Sequence, residues 1–75
     1  MTCSITYLGD STIVIFDNGT TVIIDESLEG WTLKDYHPWV VFKSNDGNRM
    51  CEINIINGGR SWFVVANGVW TNHLF

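Results

Sequence analysis

Residues 39–70 read WVVFKSNDGNRMCEINIINGGRSWFVVANGVW, and this stretch decides the fold. Runs of β-branched and aromatic residues are broken by Asp46-Gly47, Asn57-Gly58-Gly59 and Asn67-Gly68, the pattern of short antiparallel strands joined by tight turns. Asp-Gly and Asn-Gly suit two-residue type I′ turns, in which both central residues take positive φ. A turn about Asp46-Gly47 sets Phe42 opposite Cys51 and Val40 opposite Ile53. A three-residue loop at Asn57-Gly58-Gly59 sets Cys51 opposite Val65 and Ile53 opposite Phe63. A turn about Asn67-Gly68 then sets Val65 opposite Trp70 and Phe63 opposite Asn72.

Side chains alternate along a strand, so register decides which of them share a face. On this reading Val40, Phe42, Cys51, Ile53, Ile55, Phe63, Val65, Trp70 and Leu74 form a core face. The opposite face carries Trp39, Asn54, Trp62 and His73 in one row and Val41, Glu52, Val64 and Thr71 in the next. An aromatic and polar row of this kind is a candidate partner-binding surface, because indoles give much contact area at low entropic cost and are enriched at interface hot spots. The candidate residues are Trp39, Asn54, Trp62 and His73, with Glu52 and Val64 beside them.

Outward from this meander, strands are expected near 3–8, 12–17, 20–25 and 31–35 as well as 39–45, 48–56, 60–66 and 69–74. A type I′ turn about Asn18-Gly19 would place Ile13, Ile15, Val22 and Ile24 on one face and Val14, Phe16 and Ile23 on the other. Both faces of that hairpin are apolar. One should pack on the meander, and the other needs a cover from Trp31 and Leu33 or from a partner. Helix signals are confined to Asp25–Gly30, enough for one turn at most. The expected fold is a single all-β domain over residues 1–75, an antiparallel meander of six to eight short strands with little or no helix. It forms a two-layer sandwich or a partly open barrel, on the scale of SH3-like and OB-like barrels.

Charge is scarce: 16% of residues are Asp, Glu, Lys or Arg, against about 25% in ordinary globular proteins. Hydrophobic residues reach 45%, with four tryptophans, so part of the exterior is expected to be covered by another molecule, a second copy included. The charges are unevenly placed. Before Lys34 the chain carries Asp10, Asp17, Asp25, Glu26 and Glu29 and no Lys or Arg, while the remainder has four basic residues against three acids. Nucleic-acid binding draws most of its affinity from Lys and Arg, so a nucleic-acid partner is not expected. Asp25, Glu26, Glu29 and Asp35 would instead form an acidic rim able to meet a basic protein surface.

Catalysis, metal and cofactor are not expected. Cys3, His37, Cys51 and His73 are scattered singly, without the close ligand pairs of zinc sites. Asp25 and Glu26 are adjacent and point apart, and Gly58-Gly59 turns a hairpin rather than opening a helix that could cradle phosphate. No apolar stretch approaches the roughly 18 residues of a membrane span, and the first residues lack a signal-peptide pattern, which fits a cytoplasmic protein with reduced thiols.

The functional expectation is a small non-catalytic protein-binding module or inhibitor, homodimeric. Acidic all-strand domains of this size fit the style of phage and mobile-element accessory proteins. Some of these, anti-CRISPR proteins among them, block basic, nucleic-acid-handling machinery. The alternatives are a small barrel that stacks a nucleobase or sugar on Trp39 and Trp62, or a structural subunit whose apolar exterior is buried by assembly.

Overall fold

A computed structural model describes residues 3–73. It is all-β, with eight strands in two antiparallel sheets. Strands β1 (Cys3–Leu8), β2 (Ser11–Phe16) and β3 (Thr21–Ile24) form a three-stranded meander. Strands β4 (Thr32–Tyr36), β5 (Trp39–Lys43), β6 (Arg49–Asn54), β7 (Arg60–Ala66) and β8 (Val69–His73) form a five-stranded one. The loop 25–31 carries the chain from one sheet to the other, as a turn in which the Trp31 N–H donates to the Leu28 carbonyl at 3.0 Å. Among the described residues no helix is long and apolar enough to cross a membrane.

The sheets pack face to face as a sandwich. Val14, Phe16, Val22 and Ile24 from the smaller sheet meet Val40, Phe42, Cys51, Ile53 and Trp62 from the larger, with Leu28 of the loop fully buried between them. Trp31, Leu33, Ile5 and Ile55 are partly buried against this cluster. Leu28 is held there by the one buried polar side chain among the described residues. The Thr12 hydroxyl accepts from the Leu28 N–H at 2.8 Å and donates to the Glu26 carbonyl at 2.9 Å.

Two of the four expected registers are observed. Phe42 pairs with Cys51 and Val40 with Ile53, while Val65 pairs with Trp70 and Phe63 with Asn72. The β7–β8 turn is type I′, with Asn67 at φ 54° and Gly68 at 75°. The β5–β6 turn differs in type yet keeps the register. Its four-residue loop is closed by the Gly47 N–H donating to the Ser44 carbonyl. The Asp46 carboxylate accepts from the Ser44 hydroxyl and the Asn48 N–H, which holds it below the usual carboxylate range.

The other two registers are corrected, each by an odd number of residues, and so exchange faces. At Asn18-Gly19 only the glycine takes positive φ, and Phe16 pairs with Thr20 across a three-residue loop. Val14 then faces Val22, and these two with Phe16 and Ile24 point inward. Ile13, Ile15 and Ile23 point outward instead of sharing the expected division.

At the β6–β7 connection Asn54 ends the strand. Its side-chain oxygen accepts from the N–H groups of Ile56 and Asn57, so the apolar run 53–56 stops pairing two residues early. Gly58 closes the loop at φ 73° against Thr20 and Val22 of the smaller sheet, a fit that leaves little room for a Cβ. Cys51 therefore pairs with Trp62 and Met50 with Phe63, three residues off the expected alignment. Phe63, Val65 and Trp70 leave the expected core face, and Trp62 and Val64 join it. Leu74 lies outside the described residues.

Candidate functional site

The inward face of the five-stranded sheet is covered by the smaller sheet over β5, β6 and Trp62 of β7. Among the described residues, nothing covers its outward face. A sheet with one solvated face ordinarily alternates apolar and polar residues, but β7 reads Trp62-Phe63-Val64-Val65 and is apolar on both sides. Across the outward face run Tyr36 with Trp39 and Asn54, then Lys34 with Val41, Glu52 and Ser61, then Thr32 with Lys43, Met50, Phe63 and Asn72. Val65 and Trp70 complete it.

Packing among these side chains is close enough that Val41 is only 7% exposed although no second layer lies over it. Tyr36 and Trp70 are exposed. The Lys43 ammonium lies 5.6 Å from the Trp70 ring centroid, within cation–π range. Thr32, Lys34, Tyr36, Val41, Lys43 and Met50 line a shallow depression of about 160 Å³. Two lysines thus flank an aromatic and aliphatic surface with one carboxylate, Glu52, on it.

The residues expected from sequence as a partner-binding row are divided by the register of β7. Trp39, Glu52 and Asn54 lie on the outward face. Trp62 and Val64 face inward, Trp62 only 8% exposed and opposite Cys51. The His73 backbone pairs with Trp62, and its side chain lies outside the described residues. Trp39 and Trp62 point to opposite sides of one sheet and cannot form a common stacking platform. Asn54 is on the right face, but its oxygen is engaged in ending the strand.

The acidic residues do not rim this face. Glu26 is engaged with Arg49: the Arg49 Nη2 donates to Glu26 Oε1 at 2.7 Å and Nη1 donates to Oε2, an ion pair that holds the guanidinium above its ordinary pKa. That guanidinium also lies 5.4 Å from the Trp31 ring centroid and 4.9 Å from that of Trp62, whose rings meet edge to face at 5.9 Å. The cluster locks loop 25–31 over one end of the core. Asp25 and Glu29 are exposed in the same loop. Asp35, on β4, acts with Asp17 on the Cys3 thiol, whose pKa is raised chiefly by burial.

Tyr36, Met50, Phe63, Val65 and Trp70 were not expected on the binding face. For Phe63 and Val65 the signal available was the unbroken apolar run of β7, which guarantees a greasy outward face under either register. Among the described residues no three His, Cys, Asp or Glu gather in a group that could hold a metal ion, and Cys51 is a free thiol. Compared with known proteins, the chain matches no family model, no curated protein and no solved structure.

Proposed function

We propose that this chain is a non-catalytic protein-binding module that docks its partner on the outward face of the five-stranded sheet. A single observation carries the reading: β5 and β7 are apolar on both faces, and among the described residues only one of those faces has a layer over it. Large contiguous apolar patches on a small domain mark interaction surfaces. The anchors are the exposed aromatics Tyr36 and Trp70, with Met50 and Phe63 between them, and aromatic and Met side chains are the types enriched at interface centres.

Lys34 and Lys43 at the flank favour a partner that presents carboxylates around an apolar centre. An accessory or inhibitory role would be exercised by covering that partner surface. The acids that suggested a basic partner lie off this face.

The test compares the immobilised chain with a Tyr36→Ser/Trp70→Ser variant of similar thermal midpoint. A protein retained in stoichiometric amount by the native chain, an untagged second copy included, should be lost by the variant. Equal retention by both would remove the outward face from the reading.

A further inference from the structure

Among the described residues a second face also has no layer over it. On the three-stranded sheet, Ile13, Ile15 and Ile23 point away from the core with Thr6, Thr21 and Leu8 around them, and Ile15, Ile23 and Leu8 are exposed. No Lys or Arg lies in this sheet's strands, and one cation reaches its edge, the Arg60 guanidinium, which donates to the Ile23 carbonyl at 2.7 Å, while Asp10 and Asp17 sit in its turns and Asp25 directly follows β3, all three exposed. The two outer faces of one sandwich are therefore opposite in net charge. One is aliphatic, with three carboxylates against Arg60 at its margins, and the other is aromatic, with Lys34 and Lys43 against Glu52.

We propose that the partner of the five-stranded face is the three-stranded face of a second copy of this chain. The inference rests on the docking reading above and names its occupant. The faces lie on opposite sides of the molecule, so the contact is head to tail: each copy offers one face and accepts the other. Such a contact leaves one free face of each kind at the ends of every oligomer, and growth continues unless the rotation between copies closes a ring. Like faces are disfavoured, since a lysine-flanked face would meet lysines and an acid-margined one acids.

Size sets the strength. Three strands about 4.8 Å apart and about 20 Å long give a flat footprint of roughly 300 Å². That is well short of the about 800 Å² per partner of a standard stable interface. Assembly should accordingly be weak, rising between micromolar and millimolar chain concentration, and should weaken with salt because the charges are exposed.

Sedimentation velocity over that concentration range tests it, with two blocked variants. Lys34→Glu/Lys43→Glu blocks the five-stranded face, and Ile15→Lys/Ile23→Lys blocks the three-stranded face. Near-ultraviolet circular dichroism confirms that each is folded, and exposed single changes, Lys43→Glu and Ile23→Lys, serve if a double variant is not. The native chain should form a series of oligomers, and each variant alone should sediment as a monomer. An equimolar mixture of the two should form a one-to-one dimer and stop, because one intact face of each kind remains.

A native chain that stays monomeric to millimolar concentration overturns the proposal and leaves the docking face open to a foreign partner. A dimer formed by the Ile15→Lys/Ile23→Lys variant alone overturns it too, since the five-stranded face would then pair with itself. Oligomers that persist unchanged in the Lys34→Glu/Lys43→Glu variant, as edge-strand pairing would give, overturn the proposal, while the docking reading stands or falls on the Tyr36→Ser/Trp70→Ser comparison.

Discussion

Cys51 and Trp62 are register partners across β6 and β7, and both point into the core. This pairing separates the tryptophans by role. Trp62 packs edge to face on Trp31, whereas Trp70 lies on the outward face under Lys43. Truncating a core aromatic removes about 3–5 kcal/mol. A 75-residue domain has about 4–11 kcal/mol in all at typical per-residue stability. Trp62→Ala should therefore lose about 3–5 kcal/mol, a large share of that total, while Trp70→Ala should lose about 1 kcal/mol, the scale of one exposed cation–π contact. Urea titrations of both variants check this. Comparable midpoints would place Trp62 on the solvent side.

Arg49 joins the loop to the core through three partners at once. Both side chains of the Glu26–Arg49 pair are more than a third exposed, so the ion pair by itself contributes about 0.5–1 kcal/mol. The guanidinium also covers the rings of Trp31 and Trp62. Glu26→Gln should thus lower stability by less than about 1 kcal/mol, and Arg49→Ala by about 1–2 kcal/mol, because the second change also uncovers two indoles. Arg49→Lys should fall near Arg49→Ala, since an ammonium matches neither the two-pronged carboxylate nor the stacked planes. Denaturant midpoints with unchanged slope are the measurement. Equal losses for Glu26→Gln and Arg49→Ala would assign the whole effect to the ion pair.

The positions of the strands were legible in the sequence almost throughout, because β-branched runs and Asn/Asp-Gly punctuation are local signals. Faces were less legible, because a face depends on counting residues through each turn. Asn67-Gly68 and Asn18-Gly19 look alike, yet only Asn67 takes positive φ, and the odd residue at Asn18-Gly19 turns β3 over against β2. Asp46-Gly47 adopts an unexpected turn without harm, since a four-residue loop and a two-residue loop leave the same register.

The costly signal was Asn54, set among Ile53, Ile55 and Ile56. Its side chain competes with the ladder for backbone N–H groups, as Asn does in turns. That competition moved Trp62 from the candidate surface into the core and brought Phe63, Val65 and Trp70 out. Thr12 and Leu28 were invisible for a related reason. Their burial comes from a loop closing back over a strand 14 to 16 residues away.

Burial of Cys51 makes stability fall with alkaline pH. Desolvation pushes its thiol up to about 12 from an ordinary 9.0. The folded chain therefore holds this proton more tightly than the unfolded chain. The stability it contributes is fully present below pH 9.0 and is lost as the pH climbs from there towards about 12. Cys51→Ala has no such titration, while every other group is shared with the native chain. The native chain's advantage over Cys51→Ala in denaturant midpoint should hold at neutral pH and shrink above pH 9.0. An advantage that stays constant through the alkaline range would mean that the thiol ionises as readily in the fold as out of it.

Thr12 tests the closure of the sandwich most directly. Its hydroxyl is fully buried and satisfies both an N–H and a carbonyl of loop 25–31, so the loop stays closed over the core through one oxygen atom. Thr12→Val keeps the shape and removes the oxygen, stranding the Leu28 N–H and the Glu26 carbonyl away from water. A buried group left unpaired costs about 1–3 kcal/mol. Thr12→Ser keeps both hydrogen bonds and removes one methyl, worth about 0.8 kcal/mol. The isosteric change should therefore be the more damaging one, by about 1 kcal/mol or more, and its Leu28 amide should lose hydrogen-exchange protection ahead of global unfolding. Should Thr12→Ser prove the less stable variant, the methyl and not the hydroxyl would be holding Leu28 in place.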